Sequence, residues 1–73
     1  MNRREKVAKL AAMIARERDR HRNAVAVLAA DRAAATASGD PAKVAKVTAK
    51  ATEERQRHRH RVAALQTSIR DAS

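Results

Sequence analysis

Glu17 and His21 stand four residues apart, and so do Glu54 and His58. On a helix that spacing brings two side chains over the same patch of surface, so each carboxylate can reach its own imidazole. A carboxylate beside an imidazole can help hold a metal, poise a proton, or form a hydrogen-bonded polar layer inside a helical core. The spacing departs from the Glu-x-x-His of carboxylate-bridged sites in helical bundles. The neighbouring Arg side chains would also repel a divalent cation, so neither a metal nor a cofactor is expected. Glu17, His21, Glu54 and His58 are read as a polar core layer that fixes register and antiparallel pairing. Clustered imidazoles, with an ordinary pKa near 6.5, would charge in mild acid, which makes a pH switch physically reasonable. If the layer is only structural, replacing His21 and His58 by Leu should raise thermal stability. His60 falls on the outward face.

Around these residues lies a belt of guanidinium groups: Arg16, Arg18, Arg20 and Arg22, then Arg55, Arg57, Arg59 and Arg61. Alternate positions do not share one helical face, so these eight are read as a collar flanking the His seam on both sides, partly neutralised by Glu17, Asp19, Glu53 and Glu54. The planar fork of Arg suits phosphate and carboxylate. The formal charge of +9, from 17 Lys and Arg against 8 Asp and Glu, predicts attraction to a nucleic acid or an acidic protein surface.

Other chemistry finds little support. The chain has no Cys, Phe, Tyr or Trp. That excludes a disulfide framework, a thiolate zinc site and the ring-stacking by which single-strand and RNA-loop readers hold bases. There is no Gly-rich phosphate loop and no Ser beside a His and an acid, so no enzyme is expected. No apolar run is long enough for a membrane span, and a soluble cytoplasmic protein with no membrane partner is expected.

The elements that carry these groups follow from Ala37-Ser38-Gly39-Asp40-Pro41, which holds the only Gly and the only Pro. Gly takes the left-handed position past a helix end, Asp caps the next helix, and Pro fits its first turn. The spacing predicts an all-α antiparallel two-helix hairpin forming a single domain over 1–73: helix 1 about 3–37, turn 38–41, helix 2 about 41–70, with Asp71-Ala72-Ser73 frayed. Asn2 and Glu5 resemble a capping box. Apolar spacing puts Val7, Leu10, Ile14, His21, Val25 and Leu28 on one seam, and Val44, Val47, Ala51, His58, Val62, Leu65 and Ile69 on the other. Folding at the turn sets His21 opposite His58.

Sliding the chain by 37 residues lays Lys6-Val7-Ala8-Lys9-Leu10 over Lys43-Val44-Ala45-Lys46-Val47 without a gap. The same shift lays Glu17-Arg18-Asp19-Arg20-His21-Arg22 over Glu54-Arg55-Gln56-Arg57-His58-Arg59. Two matched blocks in one register are read as a duplicated helix. A lone hairpin of 73 residues has little interior, so it is expected to dimerise into a four-helix bundle. Met13, Ala24 and Val27 form a second apolar stripe, read as a dimer or docking face. In shape the hairpin resembles the Rop family of small plasmid proteins, whose hairpins pair into a four-helix bundle and contact RNA from its surface; no motif is shared. Two functions are expected: a small basic nucleic-acid-binding regulatory or accessory protein using the Arg collar, or an interaction module docking on an acidic partner.

Overall fold

A computed structural model describes residues 2–73 as two helices, α1 (Arg3–Ala37) and α2 (Pro41–Ala72), packed against each other with no strand among the described residues. The hairpin measures 55 × 15 × 11 Å. Asn2 opens α1 as N-cap, its side chain accepting from the Glu5 amide at 2.7 Å. The reciprocal contact is made by the Asn2 side-chain amide, 3.3 Å from Glu5 Oε1.

The turn is a Schellman motif. Gly39 has φ +70°, its N–H donates to Thr36 O at 3.0 Å, and the Asp40 N–H donates to Ala35 O at 3.4 Å. These bonds satisfy carbonyls that the end of α1 leaves open. The Asp40 carboxylate then accepts from the amides of Ala42 and Lys43 at 3.1 and 3.3 Å, and Pro41 begins α2. A Cβ added at Gly39 would meet nothing within 4 Å, so only backbone strain opposes a side chain there. Gly39→Ala should therefore cost about 1 kcal/mol, read as a fall of several degrees in Tm. Gly39→Asn should cost less, because Asn tolerates the left-handed region.

The helix bounds differ from the spacing at one point. Asp71 and Ala72 are helical, Ala72 is half-buried on the seam, and the Ser73 hydroxyl donates to Ile69 O at 3.0 Å. The last turn is capped and packed where fraying was expected.

Along α1 the residues drawn inward are Val7, Leu10, Met13, Ile14, Glu17, His21, Ala24, Leu28 and Ala35; along α2 they are Val44, Val47, Ala51, Glu54, His58, Val62, Leu65, Ile69 and Ala72. The core is thin: Ile14, Ala35 and Leu65 are the buried apolar residues. Val25, expected on the seam, is 42% exposed, and Ala24 takes its place. The repeat explains why the two helices differ here. Three residues after His58 stands Arg61, whose charge keeps it in water, so α2 turns Val62 inward. Three residues after His21 stands Ala24, which can be covered at no cost and lets the helices approach closely.

Candidate polyanion interface at the hairpin waist

His21 and His58 meet where expected, their rings stacked with centroids 3.8 Å apart and planes 8° from parallel. The carboxylates do not pair within their own helices. Glu54 Oε2 lies 2.8 Å from His21 Nδ1, and Glu17 Oε2 lies 2.7 Å from His58 Nδ1. Each acid thus reaches across the seam, correcting the expected Glu17–His21 and Glu54–His58 pairs. The two cross-helix bonds hold the rings from either side while they lie face to face between the helices.

The group that ties the layer together is Arg20. Its Nε and Nη2 donate to the two Glu17 oxygens at 2.8 and 2.9 Å, while Nη1 and Nη2 donate to the two Glu54 oxygens at 3.0 and 2.9 Å. Bidentate pairing to two carboxylates uses the guanidinium's planar fork. Sequence reasoning placed Arg20 in the outer collar, and the i,i+3 spacing of Glu17 and Arg20 was the available signal that it belongs to the layer. Its repeat counterpart, Arg57, has no carboxylate within 4 Å among the described residues. One guanidinium saturates both acids, so the waist is symmetric in Glu and His but not in Arg.

These contacts set the charge state. Hydrogen bonds from Arg20 first, and then from His58, pull the Glu17 carboxyl down to about 2; Arg20 and then His21 do the same for Glu54, also to about 2. Both depressed values lie below 4.5, the ordinary value. The layer's contribution to stability is therefore complete above that ordinary value and is lost as pH falls from there towards 2. Thermal melts followed by circular dichroism should show a Tm that declines steadily across that acid window. The expected gain from His21→Leu and His58→Leu also reverses. Two Leu side chains would each strip a largely covered carboxylate of a partner, and stability should fall.

The collar divides into two unlike faces. On one, a hollow is lined by His21, His58, Arg55, Arg59, Val62 and Gln66. It joins at Arg55 a groove of about 740 Å³ bordered by Val25, Leu28, Arg32, Val47 and Ala51. Arg18 and Arg22 lie on the same stripe of α1 as the groove residues Val25 and Ala29, since 18, 22, 25 and 29 step by four, three and four. Asp19 is the acid nearest this face, an exposed partner 3.5 Å from Arg22. The other face holds Arg16, Arg20 and Arg61 with Glu17, then Arg57 and Lys50 with Glu53 and Glu54, then Lys43 and Lys46 with Asp31. Acids and lysines thus share one side. Arg18, Arg22, Arg55 and Arg59 form the other, as two pairs related by the 37-residue repeat.

Met13, Ala24 and Val27 do not make one open stripe. Met13 and Ala24 are half-buried, and of the three only Val27, 60% exposed, stands clear. Among the described residues no cluster of three or more His, Asp or Glu is placed to hold a metal ion, and no helix is long and apolar enough to cross a membrane. No protein-family model, curated protein or solved structure matches this chain, so the likeness in shape to the Rop family rests on the hairpin alone.

Proposed function

We propose that this is a small basic nucleic-acid-binding regulatory or accessory protein that holds double-stranded or structured nucleic acid by its phosphates. The observation that carries this reading is the Arg-rich face: Arg55 and Arg59 line a hollow at the waist, Arg18 and Arg22 share the adjoining stripe of α1, and Glu17, Glu53 and Glu54 line hollows on the other side. Of these four guanidiniums only Arg22 has a carboxylate within 4 Å among the described residues, the exposed Asp19, so the face is largely free to neutralise phosphates. With no Phe, Tyr or Trp to stack on bases, affinity should come from the backbone and be largely indifferent to sequence. The thin core further supports a second copy completing a four-helix bundle, which sedimentation at several concentrations tests.

Gel shifts with a duplex in rising salt test the reading. Binding should be strong at low salt, and the logarithm of affinity should fall linearly with the logarithm of salt concentration. Absence of binding at low salt, or indifference to salt, would remove it. The apolar groove with Arg32 and Arg55 at its rim favours one other reading, an interaction module for an acidic amphipathic helix. A partner of that kind would survive nuclease treatment of a lysate in a pull-down; a nucleic acid would not.

A further inference from the structure

The centre of the Arg face is made of imidazole edges, and their orientation is set from behind. Glu17 and Glu54 are ionised and can only accept, so the Nδ1 atoms that approach them at 2.7 and 2.8 Å carry the hydrogens. In an imidazole the second nitrogen points nearly opposite the first. The Nε2 atoms therefore turn away from the carboxylates, towards the hollow that both rings line with Arg55 and Arg59. No side-chain nitrogen or oxygen is buried without a partner among the described residues. The Nε2 atoms make no hydrogen bond among the described residues, so they open to solvent. With both rings neutral, each presents a lone pair there. Two carboxylates against one guanidinium leave the layer one negative charge, a deficit that a proton on an imidazole would remove.

We propose that this hollow is a proton-linked seat for a tetrahedral oxyanion, a phosphodiester of the nucleic-acid backbone, held by His21, His58, Arg55 and Arg59. The inference rests on the proposed phosphate-binding function and names the point where one phosphate sits. An unprotonated Nε2 repels the anion, and a protonated one donates to it, so binding draws a proton from solution onto a ring. The groups facing the two rings act in one direction or the other. From α1, Glu17 and Arg20 are joined by the flanking Arg18 and Arg22. From α2, Glu54 stands behind the rings and Arg55 and Arg59 at the rim. The carboxylates accept from the protonated rings and spread their charge, as an acid behind a ligating His does. Arg55 and Arg59 hold the anion at any pH, while the rings add their hold only when charged. Anion affinity should thus rise as pH falls.

The test is an NMR titration of the three imidazoles in the full chain, with sodium sulfate against sodium chloride at matched ionic strength. Sulfate keeps its charge between pH 6 and pH 8, so any change in affinity belongs to the protein. His21 and His58 signals should move saturably with sulfate while His60 stays still. Affinity should be at least about tenfold greater at pH 6 than at pH 8, because a protonated imidazole donates to the anion and a neutral one turns a lone pair towards it. Arg55→Gln with Arg59→Gln, both exposed positions, should weaken the response by about tenfold or more with the ring signals otherwise unchanged. Chloride matching sulfate, all three rings responding alike, or equal affinity at both pH values would reduce the effect to an adventitious ion only and overturn the seat. A duplex gel shift run beside it separates the two ideas. Duplex binding without a sulfate response sinks the seat alone, and a sulfate response without duplex binding sinks the nucleic-acid reading and with it the phosphodiester as occupant, leaving a site for a free oxyanion.

Discussion

Replacing Arg18, Arg22, Arg55 and Arg59 together with Gln is expected to weaken duplex binding by about a hundred- to a thousandfold near physiological salt, and to reduce the slope of log affinity against log salt by about 3 to 4. The matched control removes four charges from the other face: Lys43→Gln, Lys46→Gln, Lys50→Gln and Arg61→Gln. It lowers net charge equally and should cost less than about tenfold, because carboxylates already share that face. All eight positions are exposed, and Gln is a good helix former, so the hairpin should persist in both variants. Gel shifts across a salt series measure both quantities. Equal losses in the two variants would mean that net charge alone attracts the polyanion, and the Arg face would lose its role.

Glu54→Gln should produce the largest loss of stability from a single substitution, about 2 to 4 kcal/mol. Glu54 is 8% exposed and accepts from Arg20 twice and from His21 once. Gln keeps the shape but turns one acceptor into an amide that faces donors, and it leaves Arg20 with a single anion. Glu53→Gln, one residue away on the exposed side, should change stability by less than about 0.5 kcal/mol. Urea unfolding of both variants, with midpoints compared at constant slope, decides the matter. A Glu54→Gln variant as stable as wild type would show that the polar layer contributes nothing to holding the helices together. A variant with every member of the layer made apolar should instead gain stability and keep its register, because the turn at Gly39 and Asp40 already fixes how the helices face.

Much of the architecture was readable in advance because it depends on local chemistry. Gly39, Asp40 and Pro41 act within four residues of themselves, through a left-handed φ, a side-chain cap and a fixed ring, and no distant contact is needed to place that bend. The facing of His21 and His58 follows from the same bend by counting, since two rigid rods of constant rise leave no freedom. What counting could not supply was the choice among equivalent neighbours. Whether an acid bonds the imidazole on its own helix or the one opposite depends on separation and tilt of the rods. So does which of two repeated arginines closes over both carboxylates. Ala24 displaced Val25 from the seam for the same reason: both satisfy helical spacing, and only the packed partner selects one. The sequence by itself determined the bend, the two rods and the level at which imidazoles meet, because each is a short-range consequence of residue type. The tertiary structure decided the crossed acid–imidazole pairs and the withdrawal of Arg20 from the collar. Those are sums of contacts between residues more than thirty positions apart, which no local pattern encodes.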